Sequence, residues 1–343
     1  MIIFGKVFFP MSFKTKFSRI VNPITKNFSF EKFSGLLPFD GLILVYHLVS
    51  DEDVKHVKHL FPYRSVRQFE KDLDFLSNHF EFVNWEDYLN QKKTSKPKLL
   101  LTFDDGYSEF YDIISPILLR KGIFAINFIN PKFIDNKELM WRNKASLIVS
   151  EIIDKEEYQD KMFEWTKNEL KESISSILSI NFENQNQLDE IANHLEINFK
   201  NYLQNNPVYL TSEQLIKLKK DGFGIASHGW DHPLYNQLSL EQQIDNTQKS
   251  LDYMTDNQFL NDSFAFPFTD HLVTEQFFDL IFKQNSDLKY TFGAAGLKLD
   301  SYSKNIQRIP IETKNYSAEE ILKNEIIYYQ VLKMLGKNTI KRS

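Results

Sequence analysis

Lys98-Leu99-Leu100-Leu101-Thr102-Phe103-Asp104-Asp105-Gly106-Tyr107 is the stretch that decides the fold. Residues 98–103 form a short, continuous apolar run, which suits a strand buried on both faces, as in a parallel sheet. Residues Tyr107 to Arg120 then read as an amphipathic helix, ending in Lys121-Gly122 as helix C-termini often do. Ile123 to Phe128 is the next strand. Upstream, Gly41 to His47 repeats the buried-strand pattern. Ser65 to Phe80 carries Val66, Phe69, Leu73 and Leu76 at helical spacing beneath a Ser cap. Strand, helix, strand in this rhythm predicts parallel βαβ units in a sheet or a barrel.

Outside this region the pattern changes twice. Residues 1–35 alternate Lys and Arg with Phe without a clear period and read as an arm or peripheral helix. From about 141 to 210, Glu, Lys, Asn and Gln mix with Ile, Leu and Phe at helical spacing, which predicts a helical insertion. The βα rhythm resumes with a helix over 211–222, a strand over 223–227, and alternating candidates to Leu335. The expected organisation is an arm (1–35), an α/β domain (36–330) interrupted by the insertion, and a solvated basic tail (331–343).

Composition excludes several classes. The 343 residues are 42% hydrophobic, 15% aromatic and 25% charged, with 11 Gly and 11 Pro, so the chain is globular rather than disordered or collagen-like. A formal net charge of -5 provides no global basic field for nucleic acid, and no nucleic-acid partner is expected. Cysteine is absent, which rules out disulfides, Cys-ligated zinc, Fe–S clusters and thiol nucleophiles. Any metal must therefore sit on His, Asp or Glu. The longest apolar run, Leu42 to Val49, is far short of the roughly 18–20 residues of a spanning helix. Met1 to Phe13 is apolar but is interrupted by Lys6 and Pro10 and lacks the marks of a secretory signal. The expected location is cytoplasmic, or peripheral to a membrane through an anchor in Met1 to Phe13.

Two constellations carry chemistry. The first is Asp104-Asp105-Gly106 at the C-terminal end of a buried strand. Adjacent acids in an apolar setting need a cation or hydrogen-bond donors, or one carboxyl shifts its pKa upward. The ordinary alternative is a helix cap beside a solvated Asp. The second is His228-Gly-Trp-Asp-His232-Pro233, directly after a short strand. Gly229 and Pro233 oppose a helix there, so a loop that folds both rings toward one ion is expected. The pair His56/His59 has a similar spacing, but in Asp51-Glu-Asp-Val-Lys-His-Val-Lys-His59 it reads as a solvated segment. Parallel α/β folds gather active-site loops at strand C-termini. One carboxylate with two imidazoles is then a facial set suited to Zn(II), Co(II), Ni(II), Mn(II) or Fe(II), which leaves the second carboxylate free to act as a base.

Thr102-Phe-Asp-Asp-Gly106 and Ser227-His-Gly-Trp-Asp-His-Pro233, followed by Leu238-Ser239, resemble the first two motifs of the polysaccharide deacetylases, the NodB-homology or family 4 carbohydrate esterases. Further similarity lies in Val45-Tyr-His47, Val66 to Val83, Phe266-Pro-Phe268 and Arg308-Ile-Pro310, so it spans about Leu42 to Ile311 without the insertion. The resemblance implies a distorted (β/α) barrel of about seven strands. It also implies metal-dependent hydrolysis of an N-acetyl group on a polysaccharide or glycan precursor. Asp104 would be the general base, and Asp105, His228 and His232 the metal ligands. The metal would lower the pKa of a bound water and polarise the acetyl carbonyl.

The chain departs from the family at two points. The third motif usually carries an Arg before its Pro-aromatic pair, whereas here Phe264-Ala-Phe-Pro267-Phe has none, and Arg308 is the candidate replacement. The late Leu-x-His motif that supplies the general acid is also missing. His47 and His271 are the candidates for that role, with His271 expected in an exposed loop. Trp230 and Tyr107 either stack on a sugar ring or pack ordinarily. Trp141 and the insertion either form a lid or enlarge the outer shell. A deacylase of another amide, an O-acetyl esterase and a catalytically weak glycan-binding protein are the competing functions.

Overall fold

In the computed structural model, residues 13–90, 94–312 and 316–342 are described. The strands are β1 (Gly41–Tyr46), β2 (Glu81–Phe82), β3 (Lys98–Phe103), β4 (Ala125–Ile129), β5 (Gly224–Ser227), β6 (Ser263–Ala265), β7 (Tyr290–Gly293), β8 (Leu299–Asp300), β9 (Asn305–Gln307), β10 (Ile309–Pro310) and β11 (Thr339–Ile340). The main sheet runs β10-β1-β3-β4-β5-β6-β7-β9, with β2 added on β3. Every pairing in it is parallel. The two ends of that path are consecutive in sequence. β9 pairs with β7, Arg308 intervenes, and β10 pairs with β1. A single segment therefore bridges the first and last staves, and the sheet closes into a barrel of seven staves.

Alternation along the strands divides inside from outside. Ile43, Leu100, Ile126, Phe128, Ala226, Ala265 and Phe292 cluster together. Their strand neighbours Leu42, Leu44, Leu99, Leu101, Phe103, Ala125 and Ile225 belong to a second cluster, shared with the helices Val66–His79, Ser115–Lys121 and Ala318–Met334. Strands buried on both faces explain the continuous apolar runs. Ser65 caps the Val66–His79 helix in a reciprocal capping box with Gln68.

Residues 141–205 form five helices, from Trp141–Asp154 to Phe199–Asn205. They share a cluster of their own in which Leu147, Ile148, Val149, Leu188 and Leu195 meet Leu48, Val54 and Val57 of the segment after β1. No helix among the described residues is long and apolar enough to cross a membrane. An anchor in Met1 to Phe13 falls almost wholly outside the described residues.

Three expectations are corrected. The helix expected from Tyr107 starts later, with a π-helical turn at Phe110–Ile114 that leads into Ser115–Lys121. Pro116 has no N–H to continue an α-ladder back into that turn, and Tyr107 instead bridges Tyr209. The segment bearing His56 and His59 is not solvated. His56 is 5% exposed beneath the 141–205 helices, Asn143 donates to its carbonyl (2.8 Å), and its Nδ1 meets the Tyr202 hydroxyl (3.0 Å). The tail is exposed at Lys337, Thr339 and Lys341, as expected, but it is anchored at two points. β11 pairs with β8, and the Arg342 side chain, 2% exposed, is buried against Asp270 and Asp300.

Candidate active site

Parallel closure places His47, Asp104, Asp105, Asn130, His228 and His232 at the same end of the barrel, each just past the C-terminus of its strand. The turn after β3 solves the problem posed by neighbouring carboxylates. Asp105 and Gly106 both adopt left-handed backbone (φ 76° and 70°), so the chain leaves the strand direction and the Asp105 carboxylate turns back beside that of Asp104. At Gly106 the left-handed backbone and a Cβ that would crowd Ile129 Cγ2 at 3.1 Å together favour glycine. Gly229 and His232 are likewise left-handed, and residues 228–234 form a loop rather than a helix.

Asp105 Oδ1 lies 3.0 Å from His232 Nε2 and 3.4 Å from His228 Nε2, and all three residues are buried. One ligand atom from each falls within 4.8 Å of the others. His228 Nδ1 lies 2.9 Å from the Ala265 carbonyl. Donation to that oxygen leaves the Nε2 lone pair for the cluster. Asp105 Oδ1 is buried without a properly aligned donor. An orphaned carboxylate oxygen between two imidazole nitrogens is the donor set a divalent cation requires, so the residues fit a metal. Burial raises the Asp105 carboxyl, but His232 and His228 outweigh it and hold the group well below the usual carboxylate range. Burial lowers His232, and Asp105 only partly offsets this, so the ring stays neutral as a ligand must.

Asp104 takes a different partner. Arg308, fully buried, places Nη1 2.6 Å from Asp104 Oδ1 and Nη2 2.7 Å from Oδ2, and donates to the Thr102 hydroxyl (3.2 Å). Its Nε bonds the Gly293 carbonyl (3.2 Å). Burial raises Asp104, while Arg308, His228 and His47 together bring its carboxyl below the ordinary value. The guanidinium thus comes from the seam of the barrel rather than from the third motif.

His47 is 28% exposed and its Nδ1 lies 2.6 Å from Glu312 Oε2. Glu312 also accepts from the His47 and Leu48 backbone amides, both at 2.8 Å. Burial opposes protonation of His47, but Glu312, Asp105 and Asp104 favour it and raise the pKa to about 9. Sequence reasoning missed Glu312, for which no motif was available. It also missed Asn130, whose Nδ2 donates to the His228 and Gly229 carbonyls (2.6 and 3.0 Å) and fixes the loop between the histidines.

The remaining candidates separate. His271 is exposed in its loop. Tyr107 is 1% exposed, stacked on Tyr209 and bonded to Asn143. It is therefore a packing residue, and its ring offers no face to a sugar. Trp230 is half-buried with Lys249 Nζ 4.1 Å over its ring. Trp141, from the first of the 141–205 helices, donates from Nε1 to the His232 carbonyl (3.1 Å). Phe268 stands against the His232 ring at 4.4 Å.

The closed parallel barrel, with acids and imidazoles gathered at its strand C-termini, defines a (β/α)-barrel protein whose chemistry sits at that one mouth. The sequence profile described as Polysaccharide deacetylase matches residues 91–274, more than half of the chain, and the protein belongs to that family. Solved structures share the fold. A Streptococcus pyogenes deacetylase, PplD, in complex with acetate aligns with a TM-score of 0.53 at 16% identity, covering 83% of this chain and 97% of that one. IcaB from Ammonifex degensii gives 0.52 at 15% identity, covering 84% and 98%. A de-N-acetylase from Aggregatibacter actinomycetemcomitans gives 0.52 at 17% identity, covering 83% and 98%. No curated protein sequence matches the chain significantly. The protein is thus a carbohydrate deacetylase, a hydrolase of N-acetyl amide bonds.

Proposed function

We propose that the protein is a divalent-metal-dependent N-deacetylase acting on an N-acetylhexosamine unit of a glycan or glycan precursor. The supporting observation is the convergence of Asp105, His228 and His232 beside an Asp104 that Arg308 holds at both oxygens. Asp105, His228 and His232 would hold the ion, and three N/O ligands with open positions suit Zn(II) first, with Co(II), Ni(II), Mn(II) or Fe(II) as alternatives. When bound, the ion supplies Lewis acidity toward the acetyl carbonyl and a water of lowered pKa.

This chain's own groups then divide the proton work. Asp104, ionised and oriented by Arg308, accepts the proton of the attacking water at its carboxylate. His47, charged at neutral pH and oriented through Nδ1 by Glu312, keeps its Nε2 proton for the departing amine. Trp230 offers the free part of its ring to the apolar face of a sugar.

The test is bound metal per chain by mass spectrometry for wild type and His232→Ala under identical loading, followed by acetate release from N- and O-acetylated oligosaccharides with Asp104→Asn as control. Near-stoichiometric metal lost in the folded His232 variant, with acetate released from the N-acetylated substrate by wild type only, is expected. Negligible metal in both proteins would overturn the mechanism, and release from O-acetylated sugar alone would make the protein an esterase.

A further inference from the structure

The Phe13–Thr25 helix packs on the Ala318–Met334 helix through a mixed side in which Asn22 and Thr25 are buried and Phe17 and Val21 half-buried. Asn22 bonds Glu320 and Asn324, the Thr25 hydroxyl bonds Asn324, and Lys14 pairs with Glu325. Among the described residues, Phe17, against Tyr328, brings a ring contact to this interface. The outward stripe, at positions 16, 19, 20, 23 and 24, is different. Ile20 and Ile24 are 72% and 62% exposed, while Lys16 and Arg19 stand exposed and unpaired among the described residues. Lys26 continues the stripe, and Phe28 follows at 41% exposure with Lys32 Nζ over its ring. The fold thus buries Asn22 and Thr25 of this helix and leaves Ile20 and Ile24 in water beside Lys16 and Arg19, apolar surface that nothing within the described residues covers.

Charge identifies what this face fits. Residues 13–35 carry five basic side chains and one acid, in a chain whose formal net charge is -5. Two copies meeting through this stripe about a two-fold axis would gather the basic residues of both in one interface with no acid on the stripe to offset them. An anionic bilayer instead receives both residue types. Isoleucines enter the acyl boundary while lysine and arginine stems extend along it with their heads at the phosphates. We propose that the Lys16–Phe28 face is a docking surface for anionic lipid membranes, which would hold the deacetylase at a bilayer surface without a spanning segment. This inference does not depend on the catalytic reading.

The experiment is flotation of the full chain with vesicles of phosphatidylcholine alone and with about 30% phosphatidylglycerol. Two variants, Ile20→Ser/Ile24→Ser and Lys16→Glu/Arg19→Glu, are compared after circular dichroism shows native helix content. The expected result is co-flotation with the anionic vesicles only, reversed by salt, and weakened more than about tenfold in each variant. Flotation that is absent, or that both variants retain, overturns the proposal. So does self-association that the same substitutions abolish, because the occupant would then be a second copy.

Discussion

Arg308 grips Asp104 at two points, Nη1 to Oδ1 at 2.6 Å and Nη2 to Oδ2 at 2.7 Å, across 204 residues of sequence. The fork also joins the two halves of the barrel seam, since Arg308 sits between the strand that pairs with β7 and the one that pairs with β1. Closure of the barrel and orientation of the Asp104 carboxylate, the proposed general base, therefore depend on the same residue.

Arg308→Lys keeps the charge but loses the planar fork. Acetate release should fall by about 10²-fold, the scale of a small misplacement of a reacting group, while bound metal stays at the wild-type level. Arg308→Met removes the cation and strands a buried carboxylate, which should cost about 3–5 kcal/mol in denaturant titrations. Wild-type turnover in the Lys variant would show that charge alone suffices.

A second ion cluster makes a separate claim on stability. Arg342 meets Asp270 and Asp300, both about as buried as itself, while Asn305 and Gln307 donate to the same carboxylates (2.6–3.1 Å). Arg342→Met should destabilise the chain by about 3–5 kcal/mol because two buried anions lose their cation. Adding Asp300→Asn should restore part of that loss by removing one uncompensated charge. If the double variant is no better than the single one, packing rather than charge sets the effect.

What was legible in the sequence was local. Asp104-Asp105-Gly106 and His228 to His232 could be found because each group of functional atoms lies within a few residues on one strand end, and the apolar runs announce strands buried on both faces. The groups that orient those atoms come from elsewhere. Glu312 reaches His47 across 265 residues, Asn130 holds the His228 loop across 98, and Arg342 meets Asp270 across 72. No periodicity records such pairs. Arg308 was reachable only because an expected arginine was absent from its usual motif. Asp51 to His59 misled for the opposite reason, since its local polarity is that of a solvated loop, and the 141–205 helices bury part of it all the same.

That burial has a pH signature. Desolvation lowers the His56 pKa from 6.5 to about 3, so the ring stays neutral in the folded protein over a range in which the unfolded chain takes up a proton. The unfolded state binds more protons below pH 6.5, so stability is full above that value and drains away as the pH falls toward 3. Between about pH 7.5 and about pH 5.5 this one group should cost about 1.4 kcal/mol. His56→Asn keeps a short polar group near the Tyr202 hydroxyl and removes the titration. Urea titrations at the two pH values should therefore show a loss in wild type that exceeds the variant's by about that amount. Equal losses in both proteins would mean that His56 takes up its proton in the folded protein at an ordinary pKa, because its contact with the 141–205 helices opens to water well before the fold does.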